Sequence, residues 1–379
     1  MPTVYDQQKT SYNDTNIQVR IVSEAIRMID PVDTPLIQLL GGLDAARSKF
    51  NVRENGKMVE LLEDEYAATA GAFAAGGATT LATDDTQFTV ADASILQPGS
   101  VILFGNEYAW VSAVNTTTNL ITISRTVKGT NDTAASTEAF AIVGMARLEG
   151  ADASYIGLNE VSTVYNYTGI QQKALNVSGS DEAIDYYGMG SPFAYQAAKA
   201  IPELLRNIEL QLFHGYRAAG SATVARSWGG MDVFIGSNTV AAGGGIAKSD
   251  VDILQEYIHI DGGMPDLLVV HPGVARDLHD LIDSSSFVRV DQSENKIGLG
   301  PLMYAQTQFG NLRIIMDRWC PSATGFVVDS SKMGLYTLRP FGWKPLAVTG
   351  DSKKGEVVGE FSFLAANNEA HGTITGLTT

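Results

Sequence analysis

Histidines are the residues in this sequence most suited to chemistry at neutral pH, but their spacing assembles no recognisable site. A zinc pair would need two of them three or four residues apart on one helix. None of the five has that spacing: His214, His259, His271, His279 and His371. The eight-residue interval between His271 and His279 could place both on one helix face. We expect a structural or capping role for these two.

Other reactive residue types are equally isolated. Cys320 is the only cysteine, so no disulfide can form within the chain, and no neighbouring base would lower the pKa of its thiol. The triplet Asp317-Arg318-Trp319 could suggest catalysis, but an ion pair beside a core aromatic residue is the simpler interpretation. The acidic run Glu63-Asp64-Glu65 lacks the spacing of a calcium loop.

Two glycine-containing segments fall short of phosphate-binding motifs. GDSKKGE at 350–356 lacks the Gly-Lys-Ser/Thr ending that places a lysine on phosphates. GMGSPF at 188–193 lacks the third glycine and the acidic partner of a dinucleotide motif, so we interpret it as a hinge before a helix. We therefore predict no catalytic, cofactor-binding or metal-binding residues, no cofactor and no enzymatic activity.

Composition excludes further classes. The chain has 379 residues, enough for two or three domains, and a net charge of −16 with no block of basic residues. Neutralising phosphates requires clustered Lys and Arg, so binding of nucleic acid by that route is not expected. No signal peptide and no apolar run of about 18 residues is visible. The sequence predicts no membrane association and synthesis in the cytoplasm.

The most strongly patterned element is a long helix predicted over about 192–214. Ser191 is a suitable N-cap, Pro192 a suitable first residue and Gly215 a suitable residue after the end. An apolar stripe recurs at intervals of three and four, comprising Phe193, Ala197, Ala200, Ile201, Leu204, Leu205, Ile208 and Leu212. Pro202 removes the hydrogen bond to Ala198 and should kink the rod.

The rest of the chain divides by pattern. A short helix is predicted from Pro35 to Leu40, within an arm that needs a neighbouring surface. Residues 50–64 indicate a strand, a turn at Asn55-Gly56 and then another strand or a short helix. Residues 78–145 are rich in β-branched and aromatic residues with turn signals every eight to twelve positions, typical of a small all-β barrel or sandwich, with Trp110 in its core. Residues 229–335 have an α/β pattern.

Five segments, which together span most of the chain, follow one another in the order IDPVDTPLIQLLG, VSTVYNYTGIQQKALNVSGS, AYQAAKAIPELLRNIELQLFHG, RWCPSATGFVVDSSKMGLYTLRP and LAVTGDSKKGEVVGEFSFLAANNEAHGTITGL. In this order they resemble the major capsid proteins of tailed double-stranded DNA bacteriophages with the Hong Kong 97-type fold, in the branch with an inserted β domain.

The resemblance implies an α+β fold with an N-terminal arm at 1–45 and an extended E-loop region at 46–180, interrupted by the inserted domain at 78–145. It implies a P-domain, formed by 181–228 with the spine helix and by 336–379 with C-terminal strands that complete its sheet. An A-domain would occupy 229–335 and surround five-fold and six-fold axes. Pro202 would then be a hinge between curved and flat positions.

The resemblance also implies a function: self-assembly, through pentamers and hexamers, into the icosahedral shell that encloses the genome of a tailed phage. The expected partners are other copies, a portal, a separate scaffolding or decoration protein, and packaged DNA by non-specific proximity. The protein would be located in the virion capsid after assembly in the bacterial cytoplasm. The alternatives are an encapsulin-like cargo compartment and another virion structural protein of the tail or baseplate.

Overall fold

The computed structural model describes residues 33–52, 56–74, 85–129, 137–152, 161–186, 189–284 and 304–378. Contacts divide the chain into two compact units. Unit 1 comprises Met1–Leu61 and Val164–Thr379, and unit 2 comprises Leu62–Thr163. Unit 2 therefore interrupts unit 1 in the sequence.

Helices are confined to unit 1 among the described residues. In chain order they are α1 (Pro35–Leu39), α2 (Ala45–Phe50), α3 (Gly179–Ala183), α4 (Pro192–His214), α5 (Met231–Phe234), α6 (Lys248–Ile260) and α7 (Pro272–Ser284). The short helix predicted from Pro35 is confirmed as α1. It ends at Gly41 and Gly42, which both have positive φ angles of 97° and 91° that favour glycine.

Strands make up much of both units. In chain order they are β1 (Met58–Glu63), β2 (Ala70–Ala72), β3 (Gln87–Thr89), β4 (Ser100–Phe104), β5 (Glu107–Asn115), β6 (Leu120–Lys128), β7 (Ala139–Met145), β8 (Ser162–Tyr167), β9 (Gly169–Ser178), β10 (Asn238–Gly244), β11 (Leu267–Val270), β12 (Tyr304–Thr307), β13 (Gly310–Met316), β14 (Thr324–Val328), β15 (Met333–Pro345), β16 (Ser352–Ala365) and β17 (Gly372–Leu377).

A mixed six-stranded sheet forms the centre of unit 1, in the order β10-β17-β14-β11-β13-β12. Its middle strand β11 is Leu-Leu-Val-Val and is buried on both faces, because helices cover both sides. Residues of α6 and α7 pack on one face. Residues of α1, α4 and α5 pack on the other. The arm helix α1 is thus part of the main core.

A second sheet, in the order β15-β16-β9, lies against the long helix α4. Strand β17 does not join it and instead pairs with β10 and β14 in the central sheet. The expectation that all strands after 336 complete the sheet beside the spine helix is wrong for β17. The physical reason is that Ile374 and Leu377 bury their side chains against α6 and the central strands.

The first strand and turn predicted at Asn55-Gly56 lie partly outside the described residues, because 53–55 are not among them, and the strand that follows has a different partner. Residues Ala45–Phe50 form helix α2, which ends at Asn51 in a left-handed conformation with φ of 52°. The partner of β1 is β8, more than a hundred residues further along the chain, and not a strand next to it in sequence.

Unit 2 contains a six-stranded antiparallel sheet in the order β2-β7-β4-β5-β6-β3. A bridge between Phe73 and Val90 joins the two edge strands, which gives a closed, barrel-like ring around an apolar core. The sheet begins at β2, before the predicted bound of 78. Trp110 is not in that core: it alternates with buried Ala109 and Val111 and faces outward, correcting the sequence interpretation.

Candidate functional site

The long helix α4 positions the most unusual group of side chains in unit 1. Its start follows the predicted signals, because the Ser191 hydroxyl accepts the Ala194 N–H at 3.2 Å and Pro192 occupies the first turn. The predicted stripe is buried or, at Ala197 and Leu205, half-buried, except at Ile201, which is 44% exposed. Glu209, absent from that stripe, is fully buried in it. The helix therefore carries a carboxyl group into the core.

Glu209 binds the arm. Its Oε1 accepts the backbone N–H of Leu36 at 2.7 Å, and its Oε2 accepts that of Ile37 at 3.1 Å. These N–H groups lie in the first turn of α1, where no earlier carbonyl can accept them. A side chain 172 and 173 residues away thus satisfies the arm helix. The arm is tied to α4 by this contact.

Asp317 completes the site from the end of β13. It is fully buried, and its Oδ1 accepts the Trp319 N–H at 2.8 Å. Its Oδ2 accepts no hydrogen bond from an N–H or hydroxyl group of the described residues, and the carboxyl groups of Asp317 and Glu209 lie within hydrogen-bonding reach of each other. Two carboxylates cannot donate to each other, so the pair must hold a proton.

The proton resides on Glu209. Burial, together with the hydrogen bond and the negative charge of Asp317, raises the pKa of Glu209 to about 9, although the N–H groups of Leu36 and Ile37 oppose the shift. Burial also raises the pKa of Asp317, while the proton donated by Glu209 and the Trp319 N–H hold it back. At neutral pH the pair therefore holds a proton on Glu209, which donates it towards Asp317.

An outer layer of contacts surrounds this pair. Arg318 forms an ion pair with Asp33 of the arm at 2.6 Å, and the Trp319 indole N–H donates to the Asp33 carbonyl at 3.3 Å. The guanidinium of Arg206 lies over the Trp319 ring at 5.9 Å. The Arg318–Asp33 pair is exposed and contributes little stability by itself. The predicted ion pair of the triplet is therefore made with the arm.

Paired carboxyl groups with shifted pKa values are a feature of acid-base catalysis, but this pair has no access to a ligand in the described structure. Both acidic residues are completely buried. A nearby cavity of about 300 Å³ is lined by other residues: Leu39, Asp266, Leu267, Asn311, Arg313 and Ser330. The arrangement is suited to holding three chain segments together.

A second buried acid anchors the base of the strands that lead to unit 2. Glu360 of β16 accepts the Thr168 hydroxyl at 2.7 Å and the Arg339 Nε at 3.1 Å, and it pairs with Arg226. Thr168 donates its backbone N–H to the Lys57 carbonyl at 2.9 Å. The cluster fixes the ends of β1 and β8 against the sheet beside α4.

The residues considered for chemistry in the sequence are scattered in the structure. His271 accepts the Gly273 N–H on Nδ1 at 3.2 Å, a capping contact, whereas the side chain of His279 lies outside the described residues. Cys320 is buried, which raises the pKa of its thiol. Lys353 and Lys354 lie on strand β16. Sequence reasoning missed Glu209, although its spacing of four from Leu205 and three from Leu212 places it on the apolar stripe.

No group of three or more His, Cys, Asp or Glu side chains in the part of the chain that the structure describes is arranged to hold a metal ion. Within the same residues, every helix is too short or too polar to cross a membrane.

Comparison with known proteins identifies relatives. A family model described as SU10 major capsid protein matches residues 6–378. A sequence search of curated proteins finds no match. Among solved structures, the cyanophage A-1(L) capsid aligns with a TM-score of 0.57 at 11% identity, covering 98% of this chain and 100% of the other.

Two further structures have the same fold. The capsid of a native GTA particle aligns with a TM-score of 0.55 at 8% identity, over 98% of this chain and 99% of that one. Microbacterium phage Oxtober96 aligns with a TM-score of 0.50 at 12% identity, over 97% and 99%. These are proteins with the Hong Kong 97-type α+β fold, so the predicted fold class is confirmed.

Proposed function

The chain belongs to the SU10 major capsid protein family, and we propose that its copies assemble, through pentamers and hexamers, into a closed icosahedral shell around the double-stranded DNA of a tailed phage. Its structural role in a capsid shell follows from the family match over 6–378 together with the fold. That match is the observation that carries the proposal.

The domain assignment of the shell subunit is part of the proposal. Residues 1–45 are the arm, 46–180 the E-loop region with its insertion at 78–145, 181–228 and 336–379 the P-domain, and 229–335 the A-domain around the symmetry axes. The central sheet of unit 1 supports the grouping of 229–335, with β17 added to it. The long helix α4 braces the sheet of β9, β15 and β16 as a spine.

The buried contact between Glu209 and the arm has a clear use in such a wall. An arm that extends from its subunit transmits force only if its root is fixed. The two hydrogen bonds from Leu36 and Ile37, with the apolar burial of α1 in the main core, provide that fixation. Because the acceptor lies on α4, the arm is attached directly to the spine.

The inserted β domain is proposed to contact neighbouring subunits. Alternate residues of β7 face outward, and Val143 and Met145 are about half exposed. Burial of apolar area stabilises a contact by about 25 cal/mol per Å², and a shell under internal pressure benefits from each added interface. This supports contacts with neighbours in preference to a function inside the subunit.

Further partners are inferred from the role of the shell. A portal, a separate scaffolding or decoration protein, and assembly in the host bacterial cytoplasm are expected of it. With a net charge of −16, the wall would contact packaged DNA by proximity and would not attract it.

Electron microscopy of the purified protein, with mass photometry of the same sample, tests the proposal. We expect closed shells, or rings of five and six copies, and shells from producing cells that contain nucleic acid. Shells filled with a protein cargo would favour a cargo compartment. A stable monomer that binds a small ligand with a fixed stoichiometry would contradict the capsid function.

A further inference from the structure

A cavity of about 300 Å³ lies where the end of the arm helix α1 meets the central sheet. Leu39, the last residue of α1, lines it, together with Leu267 of β11 and Arg313 of β13. Leu267 and Arg313 are directly paired in the parallel register. Their side chains lie on the face of the sheet that packs against α1, because Ile315, two positions after Arg313, is buried in the core on that side. A volume of this size suits a small ligand.

Arg313 carries a positive charge that has no direct partner in the described part of the chain. The residue is half-buried, and its guanidinium group makes no hydrogen bond and no ion pair with any described residue. By contrast, Arg226 and Arg339 of the same unit both pair with Glu360. A guanidinium group offers five N–H donors in a planar fork that matches a carboxylate or a phosphate. Arg313 is therefore available to an anion that enters the cavity.

The acidic residue that lines the cavity, Asp266, is already engaged elsewhere. Its Oδ1 accepts the backbone N–H of Ser330 and its Oδ2 accepts the Ser330 hydroxyl, both at 2.6 Å. Lys49 donates from Nζ to the Ser330 carbonyl at 2.7 Å. Burial lowers the pKa of Lys49, and the attraction of the nearby Asp266 charge opposes that shift. Asp266 therefore has no free oxygen for Arg313, and Lys49 offsets part of its negative charge.

Apolar walls beside this guanidinium group narrow the class of ligand. Leu39 and Leu267 provide surface that an inorganic anion cannot use, whereas an organic ligand would bury apolar area against it. A carboxylate accepts two parallel N–H bonds from one guanidinium group, which fixes its orientation. Asn311, which also lines the cavity, adds an amide that can donate or accept a hydrogen bond. The lining thus suits a small molecule with a carboxylate at one end and a short apolar body.

We propose that this cavity binds a small organic carboxylate, whose charged end is held by Arg313 and whose apolar part lies against Leu39 and Leu267. A bound molecule would contact the arm helix and the central sheet at once, so its binding would add to the fixation of the arm. The site is distinct from the buried pair of Glu209 and Asp317, neither of which lines the cavity. The inference concerns a single subunit and goes beyond the proposed capsid function.

Two ligands of equal shape test the charge of the bound molecule. Benzoate carries a carboxylate on a small apolar ring, and benzamide has the same outline without the charge. Titration calorimetry of the purified protein, at constant ionic strength, should give saturable binding of benzoate with one molecule per subunit. Benzamide should bind at least about tenfold more weakly. Equal binding of the two ligands would overturn the proposal.

Variants at Arg313 test which residue binds the carboxylate. Arg313→Gln should weaken benzoate binding by about tenfold or more, and Arg313→Lys, which keeps the charge but not the fork, should weaken it less. Arg276→Gln is the matched control, because Arg276 is an exposed arginine on α7, and it should bind benzoate like the wild type. Without ligand, all three variants should keep the wild-type thermal unfolding midpoint, since Arg313 has no partner to lose among the described residues.

Hydrogen exchange locates the bound molecule. The amides of Leu40 and Gly42 close the end of α1 through backbone hydrogen bonds of 2.9 Å each. Benzoate should slow the exchange of these two amides in the wild type but not in Arg313→Gln, and it should leave the amide of Gly99 in unit 2 unchanged. Saturable binding that is lost in Arg313→Gln, together with this protection, would support the site. No saturable binding of benzoate, or binding that Arg313→Gln leaves unchanged, would overturn it without affecting the proposed capsid function.

Discussion

Glu209 on α4 accepts the backbone N–H of Leu36 at 2.7 Å, so that one side chain of the spine helix caps the first turn of the arm helix. The carboxyl group that does so is buried and shares a proton with Asp317. Attachment of the arm is therefore linked to a proton in the core, and this link has measurable consequences.

The first consequence is a pH dependence of stability. The pKa of Glu209 rises from 4.5 to about 9 on folding. Between pH 4.5 and 9, Glu209 is ionised in the unfolded chain and protonated in the folded chain. The stabilisation that comes from this proton is therefore complete below pH 4.5 and is lost as the pH rises through 9. Glu209→Gln has no such proton, and its unfolding midpoint should fall less steeply with pH over this range.

The comparison of Glu209→Gln with the wild type isolates the Glu209–Asp317 pair from all other groups. The charged groups that face the pair are Asp33 on the arm, Arg318 beside Asp317, and Asp232 on α5, which acts on the neighbouring Cys320. They are the same in both proteins. Parallel profiles of midpoint against pH would show that Glu209 is ionised at neutral pH and would contradict the shared proton.

Removal of the carboxyl group should release the arm. Glu209→Ala leaves the N–H groups of Leu36 and Ile37 buried without an acceptor and opens a cavity, a cost of about 2 to 4 kcal/mol. Hydrogen exchange at both amides should accelerate in Glu209→Ala, whereas Glu209→Gln, whose side chain keeps one acceptor oxygen, should still protect one of the two. Slow exchange of both amides in the alanine variant would show that the carboxyl group does not hold the arm.

His371 should produce a pH dependence of opposite sign. It is fully buried, accepts the Asp329 N–H on Nδ1 at 3.1 Å and lies 3.2 Å from the Ala366 carbonyl through Nε2. Burial lowers its pKa from 6.5 to about 4. Between pH 6.5 and 4, His371 is protonated in the unfolded chain and neutral in the folded chain. The free energy of unfolding should therefore fall as the pH drops from 6.5 to 4. His371→Gln should remove this decline, and an unchanged acid profile would refute it.

Pro202 is predicted to be a hinge in the spine. It lies inside α4, which continues on both sides of it, and its missing N–H leaves the Ala198 carbonyl without the usual helical partner. Pro202→Ala should stiffen the helix and change the diameter or yield of shells seen by electron microscopy. Shells of unchanged size and yield would show that the hinge has no role in assembly.

Local signals determined the parts of the fold that sequence could predict. The spine helix is confirmed at Pro192–His214 because its cap, its proline and its stripe are all set by neighbouring residues. The short helix at Pro35 is also determined by neighbouring residues. The pairing of the strand after Asn55-Gly56 is not, because β1 pairs with the distant strand β8, which no local signal indicates.

The carboxyl pair was beyond sequence reasoning for a related reason. Glu209 and Asp317 lie 108 positions apart, and only the packing of α4 against the end of β13 brings them together. An acidic residue on an apolar stripe was the one visible signal, and it indicated a buried acid without naming its partner. The position of β17 likewise depended on which of two sheets could bury Ile374.

A reconstruction by electron cryomicroscopy of particles assembled from this chain is the most direct test of the account. It predicts closed shells whose wall is built from this fold, with residues 229–335 nearest the five-fold and six-fold axes and the arm leaving its subunit at the Glu209 contact. Particles with no closed wall, or a chain that stays monomeric when isolated from producing cells, would contradict it.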